Sequence, residues 1–200
     1  MFFDVTKLEN TDKYRLLTGG VTPRPIAWIS TRSKSNVDNL APYSFFTVAS
    51  CNPPVLLYTQ VPPRNGTNKD TLQNLLETRE CVVNIVSSDL MCQMNQTSAT
   101  LQSEQSEFAF ADVESCDSQS VSVKSVKLAP VRYECRLKEV ITISDEPTGG
   151  SIILLDVTNI YVQDDMIENG MINQDKLDSV GKMGADFFTL TKQLVELKRP

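Results

Sequence analysis

The stretch Val131-Arg132-Tyr133-Glu134-Cys135-Arg136-Leu137-Lys138-Glu139-Val140-Ile141-Thr142-Ile143 decides the fold. Tyr133, Cys135 and Leu137 alternate with Arg132, Glu134, Arg136 and Lys138. That period of two is the mark of a strand with one face buried and one face wet. Gly149-Gly150 then turns the chain, and residues 151–163 read as a second long strand. The two predict an antiparallel hairpin.

Upstream, residues 25–31 read as a strand, residues 33–39 as a polar turn and residues 40–50 as a further strand. Asn52-Pro53-Pro54 ends that strand, and residues 55–61 form the next. Residues 62–68 form a loop. Asp70 and Thr71 suit a helix start, and Leu72, Leu75 and Leu76 follow at one-face spacing, predicting a helix over 71–79. A buried strand at 81–86 and a short helix at 89–96, with Met91 and Met94 inward, come next. Residues 97–124, rich in Ser, Gln and Glu, read as an excursion or lid, with 107–111 as its ordered anchor. Asp164-Asp165 and Gly170 mark a turn, and residues 180–197 mix turns with a final helix. At least six strands without βαβ alternation predict an all-β barrel with peripheral helices.

The 200 residues suit one domain spanning 1–200, and 40% hydrophobic content supports a packed core. Apolar runs fall far short of the ~20 residues needed to cross a bilayer, and the N-terminus lacks a signal-peptide pattern. The net charge of −6 disfavours nucleic acid as a partner. Five cysteines without a C-x-x-C pair read as reduced thiols, hence a cytoplasmic protein. The chain has no histidine. Ser-His-Asp and Cys-His catalysis are therefore excluded, and an enzyme built this way relies on a cofactor for its chemistry. Neither G-x-G-x-x-G after a strand nor a P-loop occurs among the eight glycines.

Three polar constellations adjoin apolar strands. The first is Val21-Thr22-Pro23-Arg24-Pro25-Ile26-Ala27-Trp28-Ile29-Ser30-Thr31. The second is Asn39-Leu40-Ala41-Pro42-Tyr43-Ser44-Phe45-Phe46, continuing to Ala49-Ser50-Cys51-Asn52-Pro53-Pro54. Small residues at 49–51 let a flat ring approach the backbone. The third is Lys69-Asp70-Thr71, where a lysine and a hydroxyl meet a helix N-terminus, a combination suited to phosphate. Each also has a plainer reading: Asp70 or Thr71 as a cap, Arg24 as a solvated charge, Trp28 and the aromatics at 43, 45 and 46 as core.

Taken in order, with Met94-Asn95-Gln96-Thr97-Ser98, Pro130-Val131-Arg132-Tyr133-Glu134-Cys135 and Gly181-Lys182-Met183-Gly184, these motifs resemble the flavin reductase-like, FMN-binding split-barrel family. Flavoredoxin and the reductase components of two-component monooxygenases belong to it. The resemblance implies a mainly β fold: a six-stranded antiparallel split barrel with a Greek-key element and short peripheral α-helices. It also implies a homodimer with FMN near the subunit interface, FAD being the less favoured alternative. By position, Ser30, Thr31, Lys69 and Thr71 would hold the phosphate. Ala49, Ser50, Cys51 and Asn52 would face the ring, and Asn39 and Ser44 the ribityl chain or ring. Asn95 and Ser98 would lie near the phosphate end, Trp28 would join the cofactor-binding set, and Phe187 or Phe188 would cover the ring.

One departure stands out. Many members carry histidines on the strand that here reads Leu155-Asp156-Val157-Thr158-Asn159-Ile160-Tyr161-Val162, where Asn159 and Tyr161 replace them. That puts the electron partner in question, not the flavin. The implied activity is hydride transfer from NAD(P)H, a transient co-substrate, to flavin N5, with an oxygenase or other protein as downstream acceptor. Two other readings stay open: an electron carrier without nicotinamide turnover, and a flavin-binding protein without catalysis.

Overall fold

The computed structural model describes residues 1–61 and 70–199. The expected loop at 62–68 and Lys69 lie outside the described residues. In chain order the elements are α1 (Asn10–Gly20), β1 (Arg24–Pro25), β2 (Ala27–Arg32), β3 (Asp38–Tyr43), β4 (Phe46–Cys51), β5 (Pro54–Gln60), α2 (Asp70–Thr78) and β6 (Glu80–Ile85). They continue with α3 (Met91–Gln96), α4 (Glu107–Phe110), β7 (Ser115–Cys116), β8 (Ser125–Val126), β9 (Val131–Thr142) and β10 (Ser151–Val162). The last are β11 (Ile167–Glu168), β12 (Met171–Ile172), α5 (Gln174–Leu177), β13 (Val180–Lys182) and β14 (Phe188–Leu190). Short 3₁₀ turns at Val5–Lys7, Ser88–Leu90 and Asp164–Met166 link some of them.

Seven strands form one antiparallel sheet in the order β3-β2-β6-β9-β10-β5-β4. Its two edges, β3 and β4, are joined by Ser44-Phe45 alone. A flat seven-stranded sheet would hold its edges about 29 Å apart, at about 4.8 Å per spacing. The link from Tyr43 to Phe46 reaches about 10 Å at most. The sheet therefore curls until its ends meet. Tyr43 Oη donates to Gln60 Oε1 at 3.2 Å across the closure. No ladder joins β3 to β4 among the described residues, so the barrel is split.

The long hairpin forms as its alternation predicts, β9 pairing β10 from Thr142↔Ser151 to Val131↔Val162. Residues 40–50 correct the expectation. They make two strands on opposite edges of the sheet, because Ser44 and Phe45 leave the ladder where the chain crosses the split.

Inward residues Ile29, Tyr58, Val83, Leu137, Ile153 and Leu155 fill the barrel, and α2 adds Leu72 and Leu75. Leu76, expected on the same face, is 49% exposed. Cys81 and Cys135 are directly opposed on β6 and β9 as free, buried thiols. The bond to Cys135 and burial hold the Cys81 thiol well above its usual range. The Tyr58 hydroxyl is buried in this core with no hydrogen-bond partner among the described residues. Tyr58→Phe removes that unmet donor and is expected to stabilise the fold by about 1 kcal/mol. A thermal midpoint that falls instead would mean the hydroxyl is satisfied.

A second cluster covers the outer face of β2 and β3, with Trp28, Leu40, Val86 just past β6, Met94, Phe108 and Val180 among its members. The expected excursion at 97–124 supplies part of it. Its later turn is pinned by two carboxylates: Gln119 and Ser120 donate backbone N–H groups to Glu134, and Ser122 donates one to Glu80. Burial alone would raise the Glu134 carboxyl, but these bonds from Ser120 and Gln119, with Arg132 nearby, hold it below the usual value.

The tail also corrects the expectation. No final helix forms among the described residues: β13 and β14 pair as a small sheet with β1, and 191–199 are irregular. Gly181 and Gly184 disfavour helix. A Cβ on Gly184 would meet Gly19 Cα at 3.2 Å, so the close packing of this segment on α1 needs glycine there. Helix α1 went unanticipated because it buries only Thr18. No helix among the described residues is long and apolar enough to cross a membrane.

Candidate functional site

The hydroxyls at the end of β2 and the start of α2 converge on one amide. Asn39 Oδ1 accepts Thr31 Oγ1 at 3.2 Å and Thr71 Oγ1 at 2.8 Å. Asn74 Nδ2 donates to Thr31 Oγ1 at 3.1 Å. On the other side, Asn39 Nδ2 and the Leu40 N–H both donate to Glu107 Oε2 at 2.9 Å. All five of these side chains are buried. Burial pushes the Glu107 carboxyl up, while the bonds from Leu40 and Asn39 oppose that shift. Ser30, also buried, donates to the Val82 carbonyl at 3.4 Å. Trp28 is wholly buried, and its indole N–H donates to Thr97 Oγ1 at 2.8 Å.

The structure thus brings Thr31, Asn39 and Thr71 together, but as a sealed network whose hydroxyl protons point at Asn39. Ser30 and Trp28 lie in the interior and offer no open surface. Glu107, which completes the network, opens the 107–111 stretch that reads as an ordered anchor, but no motif marks it as part of a site.

Strand β4 is different. Thr47, Val48, Ala49 and Cys51 are exposed, Ser50 is half-buried, and Asn52 is exposed beyond the strand end. As an edge strand it pairs, among the described residues, only with β5. Its outer N–H and C=O groups are therefore available to a ligand beside small side chains.

Ser44, Asn95 and Ser98 share an open cleft of about 550 Å³ with Tyr14, Lys182 and Phe188. A larger, mainly apolar trough of about 900 Å³ adjoins it, sharing Tyr14 and Phe188 and reaching Phe187 and Arg15. Lys182 stands over the Phe188 ring at 4.3 Å and donates to the Ala185 and Phe187 carbonyls. Burial lowers its pKa; Asp186 acts against this and Arg24 with it.

Arg24 holds this region in place. Its guanidinium donates to the carbonyls of Thr18 and Val21 in and just past α1, to Met183 after β13, and to Ser44 Oγ at the split. It is 6% exposed, not the solvated charge of the plainer reading.

These clefts match the size and character of sites for small organic cofactors, apolar with a few convergent polar groups. The donor set of hydroxyls, amides, one lysine and aromatic faces suits a flavin. Among the described residues, no three His, Cys, Asp or Glu side chains group as a metal site.

Comparisons agree with this architecture. A protein of Aquifex aeolicus is 34% identical over 189 residues, 94% of each chain. The structure of nitrilotriacetate monooxygenase component B from Bacillus cereus superposes with a TM-score of 0.93 at 29% identity over 98% of each chain. That of 2-nitrobenzoate 2-nitroreductase from Pseudomonas fluorescens gives 0.90 at 26% identity, covering 100% of this chain and 96% of the other. The family described as flavin reductase like domain matches residues 19–181, from the end of α1 into β13. On this evidence the chain belongs to the flavin reductase-like family of split-barrel proteins.

Proposed function

We propose that the chain is an NAD(P)H-dependent flavin oxidoreductase that binds FMN and acts as a homodimer. The observation that supports this most is the meeting of Ser44, Asn95 and Ser98 in one open cleft with Lys182 and Phe188, beside a barrel whose edge strand exposes small residues. Bound FMN supplies hydride acceptance at N5, chemistry that no side chain of a histidine-free chain offers. The chain's own groups bind and orient. The free edge of β4 from Thr47 to Cys51, with Asn52 beyond it, presents backbone N–H and C=O groups to the polar rim of a ring. Ser44, Asn95 and Ser98 supply hydrogen bonds along the cleft. Phe187, 73% exposed, and Phe188 offer aromatic faces. Lys69 and the first N–H groups of α2 form the phosphate end.

A second copy would cover apolar side chains left open on and beside α1, among them Leu17 and Val21. An oxygenase or other redox protein is the proposed consumer of the reduced flavin. The net charge of −6 also favours docking on a basic electron partner, as a carrier would.

Lys69→Ala is expected to weaken FMN binding by roughly 10- to 150-fold, the value of a charge-assisted phosphate contact, and to leave riboflavin binding unchanged. Titration of flavin fluorescence reads both. FMN and riboflavin weakened equally, or neither weakened, removes Lys69 from the phosphate end. Turnover separates the two redox readings. NADH or NADPH oxidation coupled to free FMN supports the reductase. Reduction only by a protein donor supports the carrier.

A further inference from the structure

The buried Arg24 guanidinium spends its donors on neutral groups. Nη1 bonds the carbonyls of Thr18 and Val21, Nη2 that of Met183, and Nε the Ser44 Oγ at 3.3 Å. None of these acceptors is a carboxylate, and among the described residues Arg24 forms no ion pair. A cation that is 6% exposed is therefore met by dipoles, two of them at the C-terminal end of α1.

The Nε bond has a directional consequence. A hydroxyl has one proton to give, and its lone pairs accept. With its oxygen turned to the Arg24 N–H, Ser44 cannot aim its proton back at Arg24. No described residue accepts that proton, and Ser44 lines the open cleft of about 550 Å³. Ser44 is thus a donor ready for an acceptor in the cleft, strengthened by the cation behind it. Lys182 adds a second cation to the same lining, in which Asp186 is the one carboxylate among the described residues. Two cations against one carboxylate leave this region positive, on a chain whose net charge is −6. Such a region favours the form of a ligand that carries more negative charge.

We infer that Ser44, backed by the buried Arg24 and joined by Lys182, makes this cleft hold reduced FMN more tightly than oxidised FMN. Reduction adds negative charge to the flavin ring at neutral pH, and the Ser44 bond strengthens with it. Arg24 is a positioning residue here, acting on the ring through Ser44. The difference in affinity raises the potential of the bound flavin, so its reduction by a nicotinamide becomes more favourable. The inference rests on the reading that FMN is the ligand of this cleft.

The test poises FMN-loaded protein anaerobically against a redox dye of known potential. That reads the ratio of the oxidised to the reduced FMN Kd without turnover. The wild-type ratio is expected above one. Ser44→Ala is expected to lower it about tenfold, which is about 30 mV for a two-electron couple. Ser44→Thr keeps the hydroxyl and is expected to stay within about twofold of wild type. Lys182→Met keeps the apolar stem without the charge, with an expected fall of about tenfold. Arg24→Lys keeps the charge but not the planar fork that engages Ser44. It is expected to lower the ratio roughly fivefold alone, and less than about twofold when combined with Ser44→Ala. Should Arg24→Lys not fold, Ser44→Ala against Ser44→Thr decides the matter.

A wild-type ratio below one overturns the inference. So does Ser44→Ala that leaves the ratio unchanged, or that weakens both forms equally. An Arg24→Lys effect of the same size with and without Ser44 would mean that Arg24 serves the fold only. A wild-type protein that takes up no FMN fails the underlying reading first, before any substitution is made.

Discussion

Arg24→Ala lowers the midpoint of thermal unfolding by roughly 6–20 °C, the largest loss expected from any polar substitution in this chain. The guanidinium is buried and ties together the end of α1, the residue after it, the loop after β13 and the Ser44 hydroxyl at the barrel split. Alanine leaves the carbonyls of Thr18, Val21 and Met183 without their donor. Breaking a buried charged network of this kind costs about 3–5 kcal/mol. For a domain of this size each kcal/mol shifts the midpoint by roughly 2–4 °C. Arg24→Lys restores the charge but not the planar fork that reaches three carbonyls and Ser44 at once, so it recovers only part of the loss. A shift below about 3 °C for alanine would show that water replaces the guanidinium at little cost.

Trp28→Ala is expected to cost about 3–5 kcal/mol, and Trp28→Phe clearly less. The side chain is wholly buried between the sheet and the 97–124 segment, and its N–H meets Thr97. Trp28→Phe keeps most of the volume and loses that bond. FMN affinity is expected to stay within about twofold in Trp28→Phe, because an interior indole has no face to offer a flavin. The phenylalanine variant therefore separates a core role from a cofactor role: a large fall in FMN affinity with little change in stability would return Trp28 to the cofactor.

The readable parts of this fold are those governed by local pattern. The alternation around Cys135 and Leu137 gives β9, and Leu72 with Leu75 gives α2 and its inward face. The unreadable parts are set by distant partners. Residues 40–50 are apolar enough for one strand, and only closure of the barrel makes Ser44 and Phe45 a corner. The tail around Gly181 folds as strand because β1 is waiting beside it. The plainer reading of Arg24 as a solvated charge fails because its acceptors lie up to 159 positions away in the chain. The site divides along the same line. Ser44, Asn95 and Ser98 were named from motifs and share a cleft. Thr31, Asn39 and Thr71 were named for a phosphate, yet their side chains bond one another. Glu107, the residue that explains why, sits 68 positions from Asn39.

The most direct test of the central claim is the visible absorbance spectrum of the purified protein, loaded with FMN if it is isolated colourless, followed by anaerobic addition of NADH and then NADPH. The account predicts a bound-flavin spectrum whose bands bleach rapidly with one nicotinamide or both. A protein that takes up no FMN, or a bound flavin that stays oxidised under both donors, would contradict it.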